Sequence, residues 1–372
     1  MRWLHRATKP DVVLYIIGSG TFQLIGAAEY VLTHRDPSMV HILIVADKFW
    51  PVPPLISSLW DEVHLVSVYG HRATSEVVVR RRWTNRVRHY RLLRGIARAV
   101  RGRNILGLVS SDNAVTWVLA HLNPVSDVTL IDEGYSAISA SRDRQSKLER
   151  QPVRNICLRL RDAAKVRLKE AVRLDSPPRS AVNYFSAFEP NVGIHDRLER
   201  TEFLAVVDLA DSKPAESGLA WIIGSAGALD AYMGVGRYKR LVVKTSTELR
   251  RMGADRIGYL ASPHEPVGQH SYLNDLGSGS GLDGPAFDYL VPSDLSVPIE
   301  LRLLTVTRPG TAIAVMPYTS SLVSLACLYK DAGAILVSVV AVADEGLEIA
   351  SLGARLHEIA SKVKSGIRVV HE

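Results

Sequence analysis

Three short stretches of the chain place side by side residue types able to move a proton or hold an anion. Val128–Tyr135 reads VTLIDEGY, an apolar run that ends in Asp132 and Glu133, with Gly134 permitting a sharp turn. Adjacent carboxylates raise each other's proton affinity, which suits one of them to take a proton from a hydroxyl. Arg256–Pro266, RIGYLASPHEP, sets His264 between Pro263 and Pro266 just beyond another apolar run. An imidazole on so stiff a loop can donate a proton or neutralise a phosphate. Met316–Leu325, MPYTSSLVSL, places Thr319, Ser320 and Ser321 at the start of an apolar helix. Hydroxyls, backbone N–H groups and the positive helix end converge there, as a phosphate requires. Ordinary capping uses one hydroxyl and leaves two to spare.

Each stretch has a plainer reading. Asp344-Glu345-Gly346 repeats the acidic tripeptide ahead of the C-terminal helix, where the acids read as capping and dipole partners. His264 is one of twelve histidines. Other phosphate-binding signatures are missing: there is no GxxxxGK[ST] loop, and Gly18-Ser19-Gly20 lacks the third glycine of a dinucleotide fingerprint, Gly26 falling too far along. There is also no Asp-x-Asp of the kind that holds a metal under a nucleotide sugar.

The elements that must position these groups follow a βαβ rhythm. The first half offers strands at Val12–Ile17, Val40–Ala46, Val63–Val68, Ile105–Val109 and Val128–Ile131, with helices at Phe22–Thr33, Trp83–Arg101 and Ala114–Leu122. The second offers strands at Ala220–Gly224, Arg256–Leu260, Phe287–Val291, Ala312–Met316 and Ala334–Val340, and helices near Tyr238–Met252, Ile299–Val306, Ser321–Lys330 and Leu347–Lys362. The polar stretch Asn191–Gly218 reads as the junction, and Leu276–Gly284 as a loop within the second half. The expectation is an α/β protein of two doubly wound parallel-sheet domains, 1–200 and 215–372, facing a central cleft where a ligand sits.

At 372 residues the chain is long enough for two domains of roughly 150 residues each. Cys157 and Cys327, 170 positions apart, exclude a disulfide scaffold and a thiolate zinc site and point to a reducing compartment. No stretch is apolar for long enough to span a membrane, and Met1–Pro10 lacks the apolar core of a signal peptide, so a cytoplasmic location is expected. The net charge of +7 is concentrated: ten arginines lie between Arg80 and Arg103, with no acid between Glu76 and Asp112. Arg91, Arg94, Arg98 and Arg101 recur at helical spacing with Leu92, Leu93, Ile96 and Val100 between them. A second basic segment runs from Arg142 to Arg173. Such faces suit anionic lipid headgroups or an acidic polymer, unless they are simply solvated helix surfaces.

Taken in order, Asp132-Glu133-Gly134, His264 and Ser320-Ser321 resemble the acidic-acidic-Gly, His-Pro and Ser-Ser motifs of the bacterial sialyltransferase and polysialyltransferase group, glycosyltransferases of the two-Rossmann GT-B fold. GTFQLIGAAEY at Gly20–Tyr30, WIIGS at Trp221–Ser225 and VPIELRLL at Val297–Leu304 look like that group's first strand-loop-helix, second-domain opening strand and ribose-contacting segment. The resemblance spans about Val12 to Lys330. One departure is that Glu265, not proline, follows His264. The resemblance implies inverting, metal-independent transfer of sialic acid or a related ulosonic acid from a CMP-sugar to a hydroxyl of a glycan or glycolipid, with no further cofactor. It assigns Glu133 or Asp132 as base, His264 as acid, and Ser320 and Ser321, with Thr319, as phosphate holders. Glu300 would contact the ribose, Gly224 and Ser225 would belong to the nucleotide site, and Gly20, Thr21 and Gln23 would line the acceptor side. Peripheral contact with an anionic inner membrane face accords with this chemistry.

Three other readings compete, one of them a non-catalytic CMP-binding relative, which the altered His-Pro motif would suit. A GT-B enzyme using a UDP- or GDP-sugar would want more glycine or a basic clamp near Ser320, where only Arg308 is close in sequence. A nucleic-acid or polyanion binder would work through Arg80–Arg103, but that run holds few aromatics, Trp83 and Tyr90, and no zinc-finger, RNP or helix-turn-helix pattern, so no nucleic acid is expected.

Overall fold

The computed structural model describes residues 10–18, 21–46, 52–66, 81–111, 114–122, 125, 127–132, 182–188, 196–210, 218–225, 233–262, 285–291, 299–304, 306–307, 310–330, 333–340 and 348–371. The chain divides into two compact units, Met1–Thr201 and Glu202–Glu372.

The first unit is built on β1 (Asp11–Ile17), α1 (Thr21–His34), β2 (Val40–Val45), α2 (Pro54–Ser57), β3 (Glu62–Leu65), α3 (Arg81–Ala99), β4 (Asn104–Ser110), α4 (Ala114–Leu122), β5 (Asp127–Ile131), β6 (Asn183–Ser186) and β7 (Arg197–Arg200). The strands form one sheet in the order β3-β2-β1-β4-β5-β6-β7, every neighbouring pair parallel. DVVLYII and VHILIV are near-continuous apolar runs because β1 and β2 are covered on both faces. On one face Val12, Leu14, Ile16, Ile42 and Ile44 pack with Leu92 and Ile96 of α3 and Val115 and Leu119 of α4. The β1–β4 ladder shifts register between Val12 and Val13, and Gly107 lies against Val13, where a Cβ would stand 3.2 Å from Val13 Cγ1.

The second unit contains α5 (Leu204–Ala210), β8 (Leu219–Ile223), α6 (Gly234–Arg251), β9 (Arg256–Leu260), β10 (Tyr289–Val291), α7 (Ile299–Leu304), β11 (Ala312–Val315), α8 (Ser321–Leu328), β12 (Ile335–Val340), α9 (Glu348–Val363) and β13 (Arg368–His371). Its sheet runs β10-β9-β8-β11-β12-β13, also parallel throughout. Counted from each unit's own first strand, both sheets start 3-2-1-4-5-6, the doubly wound order that reverses direction beside its first strand. Alternate residues Ala220, Ile222, Ile257, Tyr259, Ala312, Ala314, Val337 and Val339 pack against Tyr238, Leu241, Val242 and Leu249 of α6. On the opposite face Trp221 lies over its ladder partner Gly258, where a Cβ would stand 2.3 Å from the indole ring. Only glycine fits beneath that ring.

The sequence pattern places Ala114–Leu122 and Arg256–Leu260 where they are found, and most other elements within two residues of their observed ends. It omits β6, β7 and β13. Each is four residues long, and β7, RLER, carries three charges at a sheet edge, so ladder pairing and not hydrophobic alternation makes it a strand. The polar stretch Asn191–Gly218 holds β7 and α5, whose Val206 and Ala210 are buried.

Candidate active site

In an open parallel sheet, ligands gather where the strand order reverses, beyond the carboxyl ends of the strands. In the first unit that point lies between β1 and β4. The chain leaves β1 at Gly18, whose N–H donates to Gln23 Oε1 at 2.8 Å. Gln23 is buried, so its carboxamide braces the turn between β1 and α1. Across the ladder, Ser110 donates to the Ile16 carbonyl at 3.0 Å, and Thr116 hydrogen-bonds both Ser110 Oγ, at 3.0 Å, and the Ser111 carbonyl, at 2.8 Å. These buried hydroxyls lock the ends of β1 and β4 together.

Asp132 follows β5 directly and is 4% exposed. Its Oδ1 accepts the Ser186 hydroxyl and its Oδ2 the Ala187 N–H, both at 2.7 Å. The Phe188 N–H in turn reaches Ser186 Oγ at 3.0 Å. One carboxylate thus ties the end of β5 to the end of β6. Burial pushes its carboxyl up to about 7, and the two hydrogen bonds pull the other way. Glu133, Gly134, Gly20 and the basic segment Arg142–Arg173 lie outside the described residues, as does the side chain of Thr21.

In the second unit the reversal lies between β8 and β11, whose ends are joined by the Met316 N–H to the Ile223 carbonyl at 3.0 Å. Gly224 and Ser225 leave β8 here. The Gly224 N–H donates to the Leu260 carbonyl at 2.8 Å and the Ser225 N–H to the Tyr238 hydroxyl at 3.0 Å, with Tyr259 Oη 2.8 Å beyond. This buried tyrosine pair fixes the first turn after β8 from below, a role the sequence does not announce.

After β11 the chain turns at Tyr318, with φ at +64°, a conformation that costs a non-glycine residue roughly 1 kcal/mol and marks an imposed bend. The bend delivers Thr319, Ser320 and Ser321 to the start of α8. Ser320 is the N-cap residue yet makes no side-chain cap bond, so capping consumes none of its hydroxyl's capacity. Ser321 donates to Glu300 Oε1 at 3.2 Å. Glu300 sits in the first turn of α7 and is buried. Two residues singled out from separate stretches of sequence are therefore in contact. His264, the loop Leu276–Gly284 and the tripeptide Asp344–Gly346 lie outside the described residues.

Among the described residues no helix is long and apolar enough to cross a membrane. No family model matches the sequence, and neither does any curated protein. Among solved structures, the chain is similar to the GT-B domain of a sialyltransferase from Photobacterium damselae, at 12% identity over 97% of this chain and 99% of that one, with a TM-score of 0.50. It is also similar to a glycosyltransferase of kitacinnamycin, at 12% identity, 98% and 86% coverage and a TM-score of 0.48. A Photobacterium 2,6-sialyltransferase solved with CMP and lactose matches at 9% identity, 97% and 78% coverage and a TM-score of 0.48. With two parallel sheets of one shared strand order and the first of these similarities along nearly its whole length, the chain has the GT-B fold.

Proposed function

We propose that the protein is an inverting glycosyltransferase that needs no metal and moves sialic acid or a related ulosonic acid from a CMP-sugar to a hydroxyl of a glycan or glycolipid at an anionic membrane surface. The observation that carries this reading is the Ser321–Glu300 contact at the carboxyl edge of the second sheet. A carboxylate suits the two ribose hydroxyls of a nucleoside, and hydroxyls at a helix start suit its single phosphate. Held side by side, they match a nucleoside monophosphate leaving group.

In the proposed reaction the acceptor oxygen attacks the anomeric carbon, its proton passes to a carboxylate of the Asp132-Glu133 pair, and the bond from that carbon to the CMP phosphate oxygen breaks. The electron pair stays on the phosphate, whose growing charge meets the Ser320 and Ser321 hydroxyls and the N-terminal amides of α8. His264 gives the departing phosphate a proton. Glu133 is the base in this reading. Asp132 already accepts two hydrogen bonds in a buried setting, so its part in this reading is to tie the end of β5 to the end of β6. Gly20 and Thr21 serve the acceptor side in this reading, and Gln23 holds the Gly18 N–H just before them.

Thermal shift with CMP, UDP, GDP and their sugars tests the donor, since binding to the folded state raises the melting temperature. Stabilisation by CMP, and transfer from a CMP-sugar to a glycan, is the expected result. Stabilisation by UDP or GDP instead would give the site to another nucleotide sugar. Response to none of them, with tight binding to heparin, would favour a polyanion binder.

A further inference from the structure

The edge of the first sheet carries a second feature. Between β3 and α3 lies a groove of about 470 Å³, lined by His64, Leu65, Arg91, Arg94 and Arg98 among others, and among the described residues its lining contains no acid. Glu62, two positions from His64, is already engaged by Arg103 and by His64, the latter at 3.1 Å. Arg91, Arg94 and Arg98 are exposed and stand three and four positions apart, so they share one helix face and repel one another. Among the described residues none of the three meets a carboxylate. An anion in the groove would relieve that repulsion.

Glycine makes the groove close-fitting. A Cβ at position 95 would stand 2.7 Å from both Val66 methyls, so Gly95 lets α3 approach the end of β3 and brings the arginines beside it. Apolar groups are exposed around the charges: Leu65, in the lining, is 58% exposed, and Tyr90, beside Arg91, is 64% exposed. Arginines that receive phosphates, beside a leucine and a tyrosine that prefer the hydrocarbon boundary, are the composition of a membrane-surface contact. A soluble anion would have no use for the apolar pair.

We infer that this groove seats the phosphate headgroups of an anionic bilayer, with Arg91, Arg94 and Arg98 as ligands and Leu65 entering the interface. The inference rests on the membrane-surface reading above and names the site that performs it. The groove lies at the carboxyl end of β3, on the same sheet edge as Asp132 after β5. Four strand spacings separate them, about 19 Å. A lipid-linked acceptor anchored at the groove therefore needs only a few sugar residues to present its hydroxyl to the acid pair.

Sedimentation of the full chain with phosphatidylcholine vesicles, with and without phosphatidylglycerol, tests the assignment. The protein is expected to partition onto the anionic vesicles and to be released by salt. Arg91→Gln, Arg94→Gln and Arg98→Gln together should weaken that partition by about 10²-fold, and Arg94→Gln alone by about fivefold, with the melting temperature and CMP response kept. Leu65→Ser should weaken vesicle binding several-fold while leaving heparin binding unchanged. If the parent ignores anionic vesicles, both the membrane reading and the groove fall. If it binds but the arginine variants bind equally well, the groove alone falls. Loss of heparin binding in the arginine variants with vesicle binding intact would give the groove to an acidic polymer and overturn the assignment.

Discussion

Ser321 and Glu300, 21 positions apart, meet through a hydroxyl-to-carboxylate hydrogen bond of 3.2 Å at the start of α8. The bond holds both groups side by side before any ligand arrives, and to serve a phosphate the serine would rotate its one proton from the carboxylate to the phosphate oxygen. Such preorganisation lowers the ordering cost of binding.

Ser320→Ala and Ser321→Ala together should weaken CMP binding by roughly 10- to 100-fold, the scale of losing hydrogen bonds to a charged group, with little change in melting temperature. If Glu300 holds the ribose as proposed, Glu300→Gln should weaken cytidine as much as it weakens CMP, because that contact would not involve the phosphate. Calorimetric affinities for the two ligands separate these effects, and unchanged CMP affinity in the double serine variant would move the nucleotide elsewhere.

Asp132 makes folding stability depend on pH in a direction opposite to that of an ion-paired acid. In the unfolded chain its carboxyl titrates near 3.8, and in the folded state near 7. Between those values the native state keeps a proton that the unfolded state has released, so stability falls as pH rises from about 4 to about 7 and is level beyond. Asp132→Asn should flatten this slope in urea unfolding across that range. Ser186→Ala removes a hydrogen bond that favours the ionised form and should carry the slope to higher pH.

The acidic tripeptide occurs twice, so the chain contains its own control. Glu133→Gln should lower transfer by about 10²-fold or more with CMP-sugar affinity nearly unchanged, the mark of a lost general base. Asp344→Asn and Glu345→Gln should leave the rate alone and cost at most about 1 kcal/mol of stability. An equal loss of rate from the second copy would reverse the assignment.

Gly258→Ala should destabilise the second unit by about 1–3 kcal/mol, because the new methyl group meets the Trp221 ring on the neighbouring strand. Trp221→Leu in the same chain should restore part of the loss. Chemical denaturation of the single and double variants measures that coupling, and additive effects would show that the ring does not press on the glycine.

Legibility in the sequence follows from how far each feature depends on its neighbours in the chain. β1, β2, α1 and α4 carry their own pattern, because each is long enough to bury a continuous face. β7 and β13 carry almost none, since an edge strand of four residues exists only through the ladder beside it. Asp132 and Ser321 are visible as types able to do chemistry at strand ends and helix starts. Their partners Ser186 and Glu300 are not linked to them by any local spacing, because 54 and 21 positions of chain intervene. Tyr238 and Tyr259 read as ordinary core aromatics, and only the fold turns their hydroxyls toward the turn after β8.

The place of β1 inside its sheet sets a schedule for making this protein. Asp11 and Asn104, adjacent at the start of the β1–β4 ladder, are 93 residues apart. At about 5–20 residues per second, β1 waits on the order of 5–20 s after its own synthesis for that partner. Throughout that interval the DVVLYII ladder offers one open, strongly apolar edge to other chains. The finished sheet instead ends in β3 and β7, four residues each and both rich in charge or histidine. The danger of aggregation therefore belongs to the nascent chain, and a cell that makes this protein in quantity must shield it on the ribosome.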